Sequence, residues 1–241
     1  MSEPLLICQD LVVGYRGKRL LPAISMTLRR AEIWAVIGRN GSGKSSFMKT
    51  LLSLNAPLGG EVRRVKSDLR VAYLAQRQAY DDLYPLLARD VVGMGLERRE
   101  SYFRRPARDR HERIEQALVR CGAADLSAKP FRQLSEGQKQ RVLFARVAVG
   151  EPDLALLDEP TSAMDRVAER EAFELILKLS RELSLCVVLV SHYLGVVRQF
   201  ADRALLLDRE LASVVQGTPN DVLAHESFRA RYGSADEGAV L

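Results

Sequence analysis

The octapeptide GRNGSGKS, residues 38–45, constrains the fold of this chain more than any other stretch. Its spacing, G-x-x-x-x-G-K-[ST], works only between a buried strand and the start of a helix. Gly38, Gly41 and Gly43 let the backbone curl so that successive N–H groups surround the α- and β-phosphates of a nucleotide. Lys44 brings a point charge to the β- and γ-phosphate oxygens, and the Ser45 hydroxyl suits Mg²⁺. The flanks agree with this requirement. Residues 33–37 are a short apolar run, and a helix is expected over 46–54.

Two more apolar runs end in chemically useful groups: residues 154–157 before Asp158 and Glu159, and residues 185–190 before Ser191 and His192. Runs that are apolar on both faces suit parallel strands buried in an α/β sheet, and ligands gather at the carboxyl ends of such strands. The three groups therefore converge on one edge. A carboxylate one strand away from the phosphate loop can hold the metal, which assigns that role to Asp158. Glu159 directly after it can orient and deprotonate an attacking water.

The N-terminal third has shorter, mixed stretches at 11–13, 26–28 and 69–74, punctuated by Gly14, Gly17, Gly59 and Gly60. They are expected to form an antiparallel layer with turns. Between residues 84 and 150 helical signals take over. Pro106 opens a helix to about Cys121 with Gly122 as its stop, and a second helix follows Ser135 with Val142, Leu143, Ala145 and Val149 inward. After residue 190 a strand at 204–207 precedes a helix capped by Thr218, with Pro219 in its first position.

GRNGSGKS, then LSEGQ at 134–138, then LLDEP at 156–160, in this order, resembles the nucleotide-binding subunit of ABC transporters over nearly the whole chain. The resemblance implies one ATPase domain with an α/β P-loop NTPase (RecA-like) core over residues 1–83 and 151–241. An N-terminal antiparallel β layer and a helical subdomain inserted at 84–150 complete it. It also implies ATP and Mg²⁺ as cofactors. Two subunits, identical or different, would face each other head to tail, so that Ser135 and Gly137 of one contact the γ-phosphate held by the other. Ser135 opens a helix whose free N–H groups and dipole attract an anion, which suits that task. Glu136 departs from the glycine common in the family, and a carboxylate there stabilises the helix start while weakly repelling ATP.

Other family positions match one at a time. Gly38, Asn40, Gly41, Ser42, Gly43, Lys44, Ser45 and Ser46 would hold the phosphates. Tyr15, in LVVGYRGKRL, would stack on adenine. Gln76, in VAYLAQRQ, would touch the metal and the attacking water, and His192 would contact the γ-phosphate. Gln138 belongs to the signature, and Asp165, in TSAMD, to the segment linking the two sites; Met164 there replaces a more usual leucine at similar volume. The stretch 76–95 resembles the zinc- and manganese-type importers through Gln76, Arg77, Asp81, Pro85, Asp90, Val91, Val92, Met94 and Gly95, as do QGTPNDVL and FRARYG near the C-terminus; because the family uses this region to contact the membrane subunit rather than the cargo, the ATPase of another ABC importer or exporter stays open as an alternative. The partners implied are membrane-spanning permease subunits and an extracytoplasmic substrate-binding protein, with no nucleic acid. The subunit itself would sit in the cytoplasm against the inner face of the cell membrane.

Composition narrows the alternatives. No run approaches the roughly 18 apolar residues of a spanning helix, and the first residues lack a secretory pattern, so the chain is not expected to enter a membrane alone. Cys8, Cys121 and Cys186 are odd in number and outside any CxxC pattern, which fits a reducing cytosol. A net charge of +5 decides nothing by itself. The stretch 97–120 mixes eight arginines with five acidic residues, the pattern of a solvated helical face or of a docking surface. A soluble remodelling ATPase would carry two cassettes or a long coiled-coil insertion, which this chain lacks. A non-catalytic nucleotide-binding dimer is disfavoured by the intact Lys44, Asp158, Glu159 and His192.

Overall fold

The computed structural model describes residues 2–75, 86–96, 107–161 and 164–233. The chain opens with β1 (Pro4–Val12), a tight hairpin of β2 (Gly14–Tyr15) and β3 (Lys18–Arg19), β4 (Ile24–Arg29) and β5 (Ile33–Ile37). Helix α1 (Lys44–Leu51) follows the glycine loop, and then come β6 (Gly59–Arg64) and β7 (Val71–Leu74). A helical group holds α2 (Ala88–Gly93), α3 (Ala107–Arg120) and α4 (Glu136–Ala148). The remainder alternates: β8 (Leu154–Asp158), α5 (Arg166–Leu183), β9 (Cys186–Val190), α6 (Leu194–Phe200) and β10 (Arg203–Asp208). An edge strand β11 (Ser213–Gly217) and two short helices, α7 (Pro219–Ala224) and α8 (Glu226–Tyr232), close the described chain.

Six strands form one sheet in the order β11-β10-β5-β9-β8-β7, parallel except for the antiparallel edge strand β11. β4, β1 and β6 form a separate antiparallel sheet. The α/β class and the N-terminal antiparallel layer are thus present, with one correction. Residues 71–74, expected in the antiparallel layer, instead pair in parallel with β8, Val71 opposite Leu154 and Leu74 opposite Leu157. The physical reason is the connection. β7 reaches β8 only through the helical group, and a crossover of that length returns the chain in parallel, whereas a four-residue apolar run carries no sign of its partner.

Alternation along the central strand divides the interior. Ile33, Ala35 and Ile37 of β5 face one apolar cluster, together with Phe173 and Ile176 of α5, Val142 and Ala145 of α4 and Val222 of α7. Trp34 and Val36 face the other, together with Phe47 and Met48 of α1 and Leu6, Leu11 and Leu28 of the antiparallel sheet. Helices α1 and α4 therefore pack on opposite faces of the parallel sheet. The helical group shares the first cluster with the core, and Arg141–Glu171 (3.1 Å) and Arg120–Glu182 (3.5 Å) tie α4 and α3 to α5.

Helix ends follow local chemistry. α1 begins at Lys44, two residues earlier than expected, because Gly43 at φ +102° lets the chain enter the helix from a left-handed turn. α3 ends before Gly122 at φ +63°, as its sequence indicates, while Pro106 lies outside the described residues. Thr218 caps α7 by accepting from Asp221 N–H, with Pro219 in the first position. The three cysteines are free and buried, and burial pushes the thiols of Cys8 and Cys121 up to about 12. Among the described residues no helix is long and apolar enough to cross a membrane.

Candidate nucleotide site

The glycine loop is shaped for an anion before any ligand arrives. Lys44 is buried, and its ammonium donates to the carbonyl oxygens of Gly38 (2.6 Å) and Arg39 (3.0 Å), which closes the loop on itself. Gly38 sits at φ +150°, and a Cβ there would stand 2.3 Å from Leu207 O and 2.6 Å from Ser42 Oγ. No other residue fits that position. Ser42 Oγ is buried without a hydrogen-bond partner, an orphaned polar atom of the kind a ligand satisfies. Arg39, Asn40 and Gly41 form the exposed lip, and Ser46 lies in the first turn of α1.

At the ends of the neighbouring strands, Asp158 closes β8 and is buried. Burial holds its carboxyl above the usual carboxylate range, against the pull of the Ser45 hydroxyl and of Lys44. Burial likewise holds Lys44 below the usual lysine value, countered by Glu159 and Asp158. One buried cation thus faces two carboxylates. The excess negative charge, the oxygen donors Ser45 and Asp158 and the cost of burying Asp158 ionised all fit a hard divalent ion such as Mg²⁺ at this point.

Glu159 follows at φ +49°, a left-handed conformation that is uncommon for a side-chain-bearing residue and recurs at functional sites. Its Oε1 lies 2.7 Å from His192 Nε2. The imidazole Nε2–H or the imidazolium can donate to this carboxylate, and the buried Nδ1 has no hydrogen-bond partner. His192 follows β9, so adjacent parallel strands β8 and β9 deliver the pair.

Tyr15 is 54% exposed on the β2–β3 hairpin, with the Arg16 guanidinium 5.3 Å from its ring centroid. The hairpin turns through Arg16 and Gly17, both at positive φ, and Leu21 just beyond it packs beside Gly43. The ring thus stands exposed on a hairpin whose following residues, Leu20 and Leu21, pack beside Gly43 of the phosphate loop. Gln76 lies outside the described residues.

The signature residues stand at the start of α4, which packs on the face of the sheet opposite α1. Ser135 caps α4, its hydroxyl accepting from Gln138 N–H (3.4 Å) while Gln138 Oε1 accepts from Ser135 N–H (3.0 Å). Gly137 in the first turn meets nothing within 4 Å of a would-be Cβ, which leaves open space for a ligand. Glu136 pairs with Lys139 (2.7 Å), so its charge is partly neutralised within its own helix turn. Asp165 caps α5, its Oδ1 accepting from Val167 N–H (3.0 Å) and Ala168 N–H (2.9 Å), and Met164 packs on the large apolar cluster. The structure therefore gathers Lys44, Ser45, Asp158, Glu159 and His192, and sets Ser135, Gly137 and Gln138 elsewhere.

Residues 21–162 match the family model described as ABC transporter. The chain belongs to the ABC transporter family. As an ABC ATPase subunit it binds and hydrolyses ATP. It is 32% identical over its whole length to the zinc import ATP-binding protein ZnuC of Ruegeria pomeroyi, covering 88% of that protein. It is 35% identical, again over its whole length, to ZnuC of Chromohalobacter salexigens, covering 93%. Among solved structures, cbiO1 of Clostridium perfringens, part of the ABC transporter complex cbiONQ, superposes with a TM-score of 0.81 at 26% identity, over 95% of this chain and 94% of that one. An inward-facing ABC transporter assigned to the metal-chelate type gives a TM-score of 0.85 at 27% identity, over 95% of this chain and 88% of that one.

Sequence reading missed three partners in this family site. Lys139 stands one helix turn after Glu136, a spacing that signals a pair. Thr161 donates to the buried Glu169 (3.0 Å), joining the segment after Glu159 to α5. Tyr73, on β7, lies opposite Leu156 in the parallel pair and packs against the same apolar cluster as Leu156, two residues before Asp158. Strand parity would have found it had β7 been assigned to the parallel sheet.

Proposed function

We propose that this ATPase energises the uptake of a divalent metal ion, zinc or manganese in type, through separate membrane-spanning subunits. The observation that carries the reading is the match to zinc import ATP-binding proteins across the whole chain. The stretch 76–95, where the resemblance to metal importers lies, supports it from the sequence. In this reading the subunit works in the cytoplasm, docked on a permease that receives its ion from an extracytoplasmic binding protein.

The chemistry uses groups already in place. The glycine loop and Lys44 hold the β- and γ-phosphates of ATP, and Tyr15 takes the adenine on its exposed ring. Ser45 and Asp158, with Gln76, would hold Mg²⁺, which supplies positive charge against the phosphate oxygens. Glu159 accepts the proton of a water whose oxygen attacks the γ-phosphorus, and the bond from that phosphorus to the bridging oxygen breaks, leaving ADP and phosphate. His192 keeps the Glu159 carboxylate aimed. Two subunits pair head to tail, so that Ser135 and Gly137 of one close over the γ-phosphate of the other. The placement of α4 and α1 on opposite faces of one sheet favours this sharing, because each chain presents its signature away from its own phosphate loop.

The test is to capture the tagged protein from membranes solubilised in mild detergent and identify what accompanies it. A polytopic membrane protein is expected, and the captured complex in proteoliposomes should accumulate radioactive zinc or manganese only with ATP. Capture of soluble factors alone, with active ATPase, would overturn the transporter reading. A permease complex that moves neither metal would overturn the cargo alone.

A further inference from the structure

Glu159 stands in a backbone conformation that it would not keep unaided. At φ +49° it is left-handed, and Pro160 after it favours extended backbone in the residue that precedes a proline. Strain of this kind persists only where the surrounding structure holds the chain on both sides. Before Glu159 the hold is the parallel ladder, in which Asp158 lies opposite Val190. After Glu159 it is Thr161, whose hydroxyl donates to Glu169 Oε1 (3.0 Å) and whose carbonyl oxygen accepts from Met164 N–H (3.1 Å). Both Thr161 and Glu169 are buried. Glu169 lies in the first turn of α5, a helix fixed by the Asp165 cap at its start and by Phe173 and Ile176 in the large apolar cluster. Two apolar side chains would fill the same space at lower cost, because burying a carboxyl is expensive. What the hydrogen bond adds is direction.

We propose that Thr161 and Glu169 are positioning residues for Glu159: their hydrogen bond anchors the chain two residues beyond the base and keeps Glu159 left-handed, with its carboxylate against His192. A released Thr161 lets Glu159 relax toward extended backbone. That movement carries the carboxylate away from His192 Nε2, which lies 2.7 Å from it in the anchored state. The Asp165 cap and the Met164 turn lie further along the chain and reach Glu159 only through Thr161. Neither Thr161 nor Glu169 acts on the reacting atoms; both act through Glu159. The inference rests on the reading that Glu159 is the base.

The test compares the steady-state ATPase kinetics of wild type, Thr161→Val, Thr161→Ser, Glu169→Gln and the double variant Thr161→Val, Glu169→Leu, with Glu159→Gln as reference. Thr161→Val removes the hydroxyl at nearly the same volume and leaves the buried Glu169 carboxyl without its donor. The double variant removes both polar partners, so no buried group is orphaned and the fold is spared. Misplacing a catalytic group by about 1 Å can cost about 10²-fold, so kcat should fall by about 10- to 100-fold in both, while KM for ATP stays within a factor of about two. Thr161→Ser and Glu169→Gln keep a donor facing an acceptor and should turn over near the wild-type rate. In ¹⁵N spectra of histidine-labelled protein, the His192 ring signal should move in Thr161→Val and in the double variant, and stay in Thr161→Ser. Normal kcat in the double variant, with Glu159→Gln still slow, would overturn the positioning role and leave the base in place. Normal turnover in Glu159→Gln would overturn the reading of the base and this inference with it. A loss of kcat in Thr161→Val that the double variant reverses would mark a pair that serves stability alone, and would overturn the proposal as well.

Discussion

At the scale of single residues, the groups legible in the sequence were those whose chemistry has a fixed spacing. GRNGSGKS places Lys44 and Ser45 without reference to anything distant, and Asp158, Glu159 and His192 announce themselves by ending buried runs. What sequence could not give was the contact between them, since Glu159 and His192 are 33 residues apart and meet only because β8 and β9 are neighbours. That contact shapes a prediction. Glutamine at position 159 can still accept a hydrogen bond from His192 Nε2 but cannot take a proton from water. Glu159→Gln should keep ATP affinity within a factor of about two and slow hydrolysis by about 10² to 10⁴, the scale of a positioned base. Steady-state turnover beside equilibrium dialysis with ATP measures both, and near-normal turnover would remove Glu159 from its role.

At the scale of elements, ends were legible and partners were not. Ser135, Thr218 and Gly122 mark helix boundaries by rules confined to one turn, and the structure places them at those boundaries. β7 went to the wrong sheet because four apolar residues fit either, and the deciding fact was the long crossover that follows. The tie between the segment after Glu159 and α5 was hidden for a related reason: Thr161 and Glu169 read as ordinary loop and helix residues until the fold buries them. Burial raises the Glu169 carboxyl from 4.5 to about 6, against the hydrogen bond from Thr161. A group whose folded value lies above its unfolded one favours the folded state when protonated. This increment of stability is full below about pH 4.5 and lost as pH rises through about 6. Glu169→Gln removes the ionisation and keeps an acceptor for Thr161. It should melt a few degrees above wild type at pH 7.5, with the gap closing by pH 4.5. Calorimetry across that range decides it, and a gap independent of pH would show that the carboxylate is not what burial strains.

At the scale of the whole molecule, the phosphate loop before α1 and the Ser135 turn before α4 belong to helices on opposite faces of one sheet, and the proposed head-to-tail pairing turns that into a prediction with a distinctive sign. Lys44→Ala disables a subunit's own phosphate loop. Ser135→Arg fills the place where the partner's γ-phosphate would sit, while leaving its own loop able to bind ATP. Each variant alone should be inactive. In a mixed pair, the damaged loop faces the damaged signature, so both faults fall in one site and the second site is intact. Random pairing of equal amounts makes half the dimers mixed, so about a quarter of all sites should be whole and ATPase activity should reappear on mixing. If each chain instead used its own signature, both faults would stay with their own chains and no mixture could recover activity. ATP binding by the Ser135→Arg chain in isolation supplies the control, since a misfolded variant would lose it. Recovered turnover requires sites built from two chains, and none, with both variants folded and able to pair, would return the Ser135 turn to a helix cap and nothing more.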